Sequence, residues 1–311
     1  MRLGRTAVVT DTGRRRLGNE DAYVWRPPLF AIADGMGGAK AGEIAAGIAA
    51  DTLEGARSDR LDADDVGSLI ADANRRIWER SLSDPATAGM GTTITVALVE
   101  EEAGAVVFGH VGDSRAYRMR DGVLEQITTD HSLIAELVES GVLTPEEAER
   151  HPQRSAITRA LGTESAVEPD VFTIEAEPGD LFLLCSDGLS DMLTEDQIAA
   201  AIERADGDPK AAGGELVKDA NAKGGDDNIT VLLFEILEGE PEPAEDRAAD
   251  SAQTAAADGS GAESGTEAQP ADPDGRLRKH GAGPGGRLAA IVVILAVLAV
   301  GALVLYWGIA R

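Results

Sequence analysis

Short acidic motifs, spread between Arg16 and Asn228, constrain this sequence more than any other feature. Most place an aspartate beside a glycine or at the end of an apolar run typical of β-strands. They are Arg16-Leu-Gly-Asn-Glu20-Asp21, Ala33-Asp34-Gly35, Gly112-Asp113-Ser114, Ser186-Asp187-Gly188 and Asp226-Asp227-Asn228. Carboxylate oxygens without histidine or cysteine partners suit Mg²⁺ or Mn²⁺ better than zinc. A fold that gathers them beside Arg16 would suit metal-assisted attack on a phosphate ester.

The overall charge argues against a nucleic-acid partner. The chain has 311 residues and a formal net charge of −27. Such an acidic surface repels polyanions and offers no broad basic patch for a phosphate backbone. The hydrophobic fraction of 43% is enough to fill a sizeable core.

The single cysteine excludes two kinds of chemistry. Cys185 has no second cysteine with which to form an intramolecular disulfide, which fits a reducing compartment. It lies in an apolar run that indicates a buried strand, where cysteine behaves as a small core residue. A thiol phosphatase would need an arginine six positions further on, and that position is Asp191.

The C-terminal part of the chain has the composition of a tethered membrane anchor. The 20 residues from Leu288 to Trp307 carry no charge, and a helix of that length spans about 30 Å, the thickness of the bilayer hydrocarbon. Basic residues precede this segment: Arg276, Arg278, Lys279 and Arg287. The positive-inside rule then predicts a single-pass protein of the cell membrane, with its N-terminal part in the cytoplasm.

Three regions follow from these patterns. Residues 1–237 form the predicted catalytic domain, residues 238–286 a disordered acidic linker, and residues 287–308 a transmembrane helix. The linker is rich in Glu, Asp, Ala, Gly, Ser and Pro and has no periodic apolar face. Such a segment cannot bury enough apolar surface to offset its ordering entropy.

Residues 1–237 alternate irregularly between predicted strands and helices. The predicted strands are Thr6–Thr10, Leu29–Ala33, Thr92–Val99, Ala105–Val111, Arg115–Met119, Val171–Ile174, Asp180–Ser186 and Asn228–Leu237. The predicted helices are Ala41–Leu53, Asp64–Arg80, Ser132–Glu139, one starting at Thr144, one opening at Thr194-Glu195-Asp196 and running to about Arg204, and Pro209–Ala222. This order favours an α+β layered fold with sheets between helices. The turn at Gly112-Asp113-Ser114 predicts a hairpin between its flanking strands.

The order and spacing of the acidic motifs resemble the metal-dependent protein phosphatase 2C family, especially its bacterial members. The resemblance covers residues 5–237 and runs through Arg-x-x-Asn-Glu-Asp, Ala-Asp-Gly-Met-Gly-Gly, Gly-Thr-Thr, Gly-Asp-Ser-Arg, Ser-Asp-Gly-Leu and Asp-Asn. It implies a four-layer α-β-β-α sandwich, with two central antiparallel sheets flanked by helices. It also implies a two-metal centre at one end of the sandwich.

The resemblance implies a role for most of the aspartates. Asp34 corresponds to the carboxylate that bridges two metal ions, and Gly35 gives its backbone carbonyl to the second of them. Asp187 and Asp227 correspond to ligands of the first metal. Asp227 is favoured over its neighbour Asp226 because the family's ligand directly precedes asparagine.

Further acidic residues are implied around this pair of metals. Asp21 and Glu20 would orient metal-bound waters. Asp113, with Asp187 and Asp191, resembles a weaker third metal site seen in bacterial relatives. The implied cofactors are therefore two Mn²⁺ or Mg²⁺ ions, with a third at the weaker site.

The same resemblance implies a mechanism without a covalent intermediate. Two cations about 4 Å apart would acidify a bridging water to hydroxide near neutral pH. That hydroxide would attack phosphorus in line while Arg16, a planar bidentate donor, grips the phosphoryl oxygens. Some relatives carry a histidine after the Asp-Gly pair as a proposed general acid. Met36 takes that position here, which leaves the acid unassigned.

The implied activity is hydrolysis of phosphoserine and phosphothreonine in proteins, counteracting bacterial serine/threonine kinases. The expected partners are phosphorylated proteins, including such a kinase, and the expected state is a monomer. Residues 128–165 correspond to the family's variable flap beside the site. The alternative is a catalytically silent, phosphatase-like module that docks a membrane kinase. The complete set of carboxylates favours the enzyme.

Overall fold

A computed structural model describes residues 1–37, 41–56, 61–148, 151–153 and 156–239. Its strands are β1 (Arg2–Asp11), β2 (Asp21–Arg26), β3 (Leu29–Met36), β4 (Gly91–Thr92), β5 (Ile94–Glu100), β6 (Ala105–Val111), β7 (Arg115–Arg120), β8 (Val123–Gln126), β9 (Asp170–Glu175), β10 (Leu181–Cys185) and β11 (Ile229–Leu237). Its α-helices are α1 (Ala41–Glu54), α2 (Ala63–Ser83), α3 (Leu133–Glu139), α4 (Pro145–Ala148), α5 (Asp187–Ser190), α6 (Glu195–Arg204) and α7 (Pro209–Lys223).

The strands form two antiparallel sheets. Sheet A has the order β1-β11-β10-β7-β8. Sheet B has the order β2-β3-β5-β6-β9, with β4 added alongside the end of β3. Neighbours along the chain are not always neighbours in a sheet: β6 lies in sheet B, and β7, which follows it, lies in sheet A.

Helices cover the outer face of each sheet. Buried side chains of α1 and α2 pack against sheet B, and those of α6 and α7 pack against sheet A. A third core fills the space between the two sheets. The described part of the chain is therefore the predicted α-β-β-α sandwich, because each sheet can bury both faces only when helices cover its outer side.

Local sequence signals fix several of the helix ends. The carboxylate of Asp62 accepts a hydrogen bond from the backbone N–H of Asp65 at 3.0 Å, and the carboxylate of Asp65 accepts one from the backbone N–H of Asp62 at 3.1 Å. This reciprocal pair is a capping box at the start of α2. At the start of α7, Asp208 caps the backbone N–H of Ala211 at 2.8 Å, and Pro209 takes the first helical position.

Stacked aromatic rings join the two sheets. Phe234 of β11 lies parallel to Phe30 of β3 with ring centroids 4.8 Å apart, and it also stacks on Phe182 of β10 at 5.1 Å. Phe182 also contacts Phe108 of β6 in a tilted arrangement, with ring centroids 5.9 Å apart. All four rings are fully buried. This layer sets the separation of the sheets and thereby the position of the polar residues at its end.

The turn at Gly112–Ser114 corrects one prediction. Its flanking strands were expected to pair as a hairpin, but they belong to different sheets, so the turn carries the chain across the sandwich. The residues that favour a tight turn are the same whether the flanking strands pair with each other or lie in different sheets. The strands β2 and β8 and the short helix α5 are also absent from the predicted elements, while Ala105–Val111 was predicted with its observed bounds.

The predicted C-terminal elements fall outside the described residues. Except for Glu238 and Gly239, the linker predicted at 238–286 and the transmembrane helix predicted at 287–308 both lie there. Among the helices that are described, none combines the length and the apolar character needed to cross a bilayer.

The aromatic layer predicts a large effect of removing one ring. We expect Phe234→Ala to lower the free energy of unfolding by about 3–5 kcal/mol, because it leaves a cavity between the sheets. Urea denaturation would measure this. Leu82, which is 69% exposed on α2, provides the control, since Leu82→Ala should change stability by no more than about 0.5 kcal/mol. Similar losses in both variants would contradict the role given to the stack.

Candidate metal centre

Strand alternation carries acidic side chains to one end of the layer between the sheets. Along β3, Leu29, Ala31 and Ala33 face the helices, while Phe30 and Ile32 face the other sheet. Successive side chains of a strand point to opposite faces. The next inward position on β3 is therefore Asp34, which follows directly on the apolar layer.

Asp21 lies directly opposite Asp34 in the β2–β3 ladder. Its Oδ2 atom accepts hydrogen bonds from Ser186 Oγ at 2.9 Å and from Thr230 Oγ1 at 2.6 Å. Both hydroxyls come from sheet A, at the end of β10 and at the start of β11. Asp21 is thus held across the gap between the sheets, with its other oxygen, Oδ1, buried and without a partner.

The remaining aspartates arrive from turns at the same end. Asp187 is the first residue of α5, directly after β10, and Asp113 lies in the turn between β6 and β7. Asp191 ends the short helix, and its backbone N–H donates to Asp187 O at 2.8 Å. Asp227 precedes β11 and accepts from the backbone N–H of Asn228 at 2.8 Å.

Burial and the repulsion of nearby carboxylates raise the pKa of Asp21, Asp113 and Asp187. Burial, with the charges of Asp113 and Asp227 next, raises the pKa of Asp187 to about 8. Burial raises the pKa of Asp21 to about 6, although its hydroxyl partners oppose the shift. The pKa of Asp113 also rises to about 6, through burial and then the charge of Asp130.

Asp34 experiences the same effects most strongly. Burial, followed by the charges of Asp187 and Asp21, raises the pKa of Asp34 well above its ordinary range. The shifts in all of these carboxyls have one physical meaning: the site concentrates negative charge where water cannot screen it. A bound cation would reverse the effect.

Unpartnered oxygens identify what the site lacks. Within the described residues, the buried side-chain oxygens without a hydrogen-bond partner are Asp21 Oδ1, Asp113 Oδ1, Asp187 Oδ1 and Asn221 Oδ1. Three of the four belong to this cluster. A buried acceptor without a donor is costly, and oxygen-only ligands suit Mg²⁺ or Mn²⁺. The donor set therefore fits the predicted cofactor.

The carboxylates are not arranged around a ready-made ion position. No three His, Cys, Asp or Glu side chains among the described residues form a group that could hold a metal as they stand. The charges of Asp21 and Asp187 act on Asp34, and Asp227 Oδ2 accepts from Arg16 Nη2 at 2.5 Å. Metal binding by Asp227 would require the bond to Arg16 to be exchanged, and the individual ligand assignments stay predictions.

Arg16 reaches the cluster from the loop between β1 and β2. Its guanidinium is half exposed and binds Asp227, while its neighbour Arg15 pairs with Asp226 at 2.8 Å. Glu20 lies close enough for its charge to act on Arg16. The loop thus brings Arg16 to the edge of the carboxylates, where its Nη2 atom faces Asp227, and its contact with phosphate stays a prediction.

Asn228 holds this loop in place. Its Nδ2 atom donates to Thr12 O and Gly18 O, each at 3.0 Å, and its Oδ1 atom accepts from the backbone N–H of Glu20 at 2.8 Å. Asn228 belongs to one of the acidic motifs, but the motif alone does not indicate this task. The roles of Ser186 and Thr230 were not predicted either, and their inward positions at the ends of apolar strands were the available signal.

Gly35 occupies a position that excludes a side chain. A Cβ atom there would lie 2.3 Å from Gly42 O and 2.5 Å from Glu20 O. The backbone of β3 can therefore run close to both the start of α1 and the β1–β2 loop. This close approach is consistent with the predicted use of the Gly35 carbonyl, which stays a prediction.

The structure also shows the surroundings of Cys185 and Met36. Cys185 is completely buried on β10, and burial raises the pKa of its thiol to about 12, so it is the predicted core residue. Met36 is half-buried at the end of β3, opposite Gly91 of β4. A thioether cannot supply a proton.

The raised pKa values predict how pH affects the metal-free protein. Asp21, Asp113 and Asp187 bind protons more tightly in the folded chain than in the unfolded chain. Their stabilising effect is complete below about pH 4, the ordinary pKa of a carboxyl, and is lost as the pH rises to about 6 for Asp21 and Asp113 and to about 8 for Asp187. We expect the melting temperature of chelated protein to fall across this range, and added Mn²⁺ to restore it.

Asp187→Asn provides the matched control for that titration. It removes the group with the pKa near 8, and should stabilise the chelated protein at about pH 8.5 by on the order of 3 kcal/mol relative to the native chain. At about pH 4, near the pKa of the unfolded carboxyl, the difference should largely disappear. A variant no more stable than the native chain at the higher pH would show that this carboxylate does not bear the repulsion.

Comparison with known proteins gives the family. The family model described as protein phosphatase 2C matches residues 14–206. The serine/threonine protein phosphatase PstP of Mycobacterium tuberculosis is 40% identical over 237 residues, covering 75% of this chain and 45% of that protein. The serine/threonine phosphatase stp of Listeria monocytogenes is 38% identical over 238 residues, covering 73% of this chain and 93% of its own length.

A solved structure shows the same fold. The catalytic domain of the serine/threonine protein phosphatase PstP, in complex with two manganese ions, matches with a TM-score of 0.69 and 35% identity, covering 76% of this chain and 99% of that one. This chain spans about half the length of the mycobacterial relative. Fold, motifs and identity agree, and the chain belongs to the protein phosphatase 2C family.

Proposed function

We propose that this chain is a metal-dependent phosphoserine/phosphothreonine protein phosphatase that uses Mn²⁺ or Mg²⁺. The observation that carries the proposal is the group of buried carboxylates with unpartnered oxygens beside Arg16. Relatives named serine/threonine phosphatase, and a related structure that holds two manganese ions, support it.

The site residues divide the work of holding metals and substrate. Asp34, Asp187 and Asp227 would hold the metals, with the Gly35 carbonyl, and Asp113 with Asp187 and Asp191 would add a weaker position. When bound, Mn²⁺ or Mg²⁺ supplies the Lewis acidity that activates water and withdraws charge from the phosphoryl group. Asp21, held by two hydroxyls from sheet A, has a free oxygen with which to orient a water.

Arg16 would bind the phosphoryl oxygens of the substrate. It contacts Asp227 in the structure, and half of its side chain is exposed. A planar guanidinium can exchange one carboxylate for two phosphate oxygens without moving its backbone. Asn228 keeps that backbone fixed through its bonds to Thr12, Gly18 and Glu20, so the arginine enters the reaction already positioned.

The full-length chain should hydrolyse p-nitrophenyl phosphate and a phosphothreonine peptide when Mn²⁺ is present. Chelation should abolish both activities, and Asp34→Asn should lower kcat/KM at least about a hundredfold, because this carboxylate faces the charged centre. Asp51→Asn, on an exposed position of α1, is the control and should behave like the native chain.

Arg16→Lys tests the assigned phosphate contact in the same assay. It keeps the charge but loses the bidentate fork, and we expect KM to rise about tenfold. Arg15→Lys is matched to it in chemistry and place and should leave KM unchanged. Hydrolysis that persists after chelation would refute the proposed chemistry, and calorimetry showing no Mn²⁺ binding would favour a catalytically silent module that docks a kinase.

We further propose that residues 287–308 anchor the phosphatase domain to the cytoplasmic face of the cell membrane. The uncharged segment Leu288–Trp307 and the basic residues before it support this. The linker at 238–286 would act as a flexible tether, and the substrates would be phosphorylated proteins near the membrane, including a serine/threonine kinase. The domain itself would act as a monomer.

The anchor has a direct test by cell fractionation. Deletion of residues 288–311 should move the protein from the membrane pellet to the soluble fraction, because the apolar segment is lost. Replacement of the same segment by an unrelated transmembrane helix should return it to the pellet. A truncated chain that stays in the pellet would show that another part of the protein binds the membrane.

A further inference from the structure

We propose that His131 is a positioning residue that fixes the Gly112–Asp113 turn and, through it, the direction of the Asp113 carboxylate. The inference rests on the proposed function, because it concerns the metal-binding competence of Asp113. His131 would not bind a metal ion itself; it would act through its hydrogen bonds to Gly112. The sequence motifs of the site do not include it.

Two hydrogen bonds join His131 to Gly112. The backbone N–H of Gly112 donates to His131 Nδ1 at 3.0 Å, and the backbone N–H of His131 donates to Gly112 O at 2.7 Å. Gly112 has φ +115, where side chains are strained, and a Cβ atom would lie 2.6 Å from the Thr93 side chain. Glycine alone can make this turn, and His131 holds both of its polar backbone atoms.

The other ring nitrogen faces a carboxylate. His131 Nε2 lies 3.1 Å from Asp170 Oδ2. Since Nδ1 accepts a hydrogen bond, the ring proton belongs on Nε2, where it donates to Asp170. Arg159 Nη1 is also 3.1 Å from Nε2, but its two hydrogens are used by Asp170 Oδ1 at 2.7 Å and Glu168 O at 3.1 Å. Asp170 thus sets the tautomer that leaves Nδ1 free to accept.

Packing prevents the ring from turning away. His131 is 7% exposed and packs against the buried ring of His110, with ring centroids 4.8 Å apart and the planes tilted by 35°. Its carbonyl oxygen accepts from the backbone N–H of Thr158 at 2.8 Å. The ring is therefore buried and hydrogen-bonded through both of its nitrogens, which keeps it in place beside Gly112.

The consequence falls on Asp113. Asp113 is 9% exposed, and its Oδ1 atom is buried without a hydrogen-bond partner. Asp113 is also close enough to Asp187 for the two carboxylates to repel each other. The turn itself therefore sets where this carboxylate points. If the turn relaxes, Asp113 leaves the group of oxygens that would surround a cation, while Asp34, Asp187 and Asp227 stay on their own elements.

Two substitutions separate the two ends of the imidazole. His131→Asn keeps an acceptor near the place of Nδ1, and so keeps the bond to Gly112 while losing the contact with Asp170. His131→Gln reaches toward Asp170 but has no acceptor at the Nδ1 position. His151→Gln, at a histidine without a contact to the turn, is the matched control.

Calorimetry and electron paramagnetic resonance of the full-length chain with Mn²⁺ alone would compare them. We expect His131→Gln to weaken the lowest-affinity class of Mn²⁺ sites about tenfold, and His131→Asn and His151→Gln to stay within about twofold of the native chain. Equal Mn²⁺ binding by the Gln and Asn variants, whether both are weakened or both are native-like, would overturn the proposal.

A measurement on the native chain keeps the proposal testable if either variant fails to fold. Nitrogen chemical shifts of the His131 ring should show a protonated Nε2 and an accepting Nδ1, and the Gly112 amide should exchange slowly with solvent. The opposite tautomer would overturn the assignment. A native chain that binds Mn²⁺ but hydrolyses no phosphoester would refute the proposed function and leave the His131 result to stand on the binding data.

Discussion

The aromatic contact between the sheets determines where the chemistry of this protein can lie. Phe30, Phe182 and Phe234 keep the sheets at one separation, and strand alternation extends their inward-facing rows to Asp34, Ser186 and Thr230. The apolar layer and the acidic cluster are therefore parts of the same rows of side chains. A change in the sheet separation would move every one of these groups.

Holding acidic groups together at this depth opposes folding, and neighbouring polar groups offset part of that cost. Ser186 and Thr230 donate to Asp21, and Arg16 compensates the charge of Asp227. Other oxygens are left without donors. Uncompensated negative charge of this kind is expected at a cation-binding site. If hydrogen bonds and ion pairs within the protein neutralised every carboxylate, a cation would gain little by binding there.

Much of the architecture could be predicted from sequence because its signals are local. The buried strand Ala105–Val111 and the capped helices α6 and α7 have strong patterns within a few residues. The predicted hairpin at Gly112–Ser114 was wrong because a turn between two strands looks the same whether they pair or cross between sheets. The buried face of α1 consists mainly of alanines, whereas Ile44 is 37% exposed, so a large apolar residue of a helix does not always mark its buried face.

The acidic residues of the site could be selected from the sequence, whereas the residues that hydrogen-bond to them and to their loop could not. Motif order identified the aspartates, whereas the tasks of Asn228, Ser186 and Thr230 depend on distances across the sandwich that no short segment of sequence contains.

The acidic residues come from both halves of the sandwich: Asp21 and Asp34 lie on sheet B, whereas Asp187 and Asp227 adjoin the ends of β10 and β11 in sheet A. An ion bound by residues of both sheets would link the sheets to each other in addition to taking part in the reaction. It would resist sliding of one sheet over the other, and the rigidity of the whole domain would then depend on whether its metals are present.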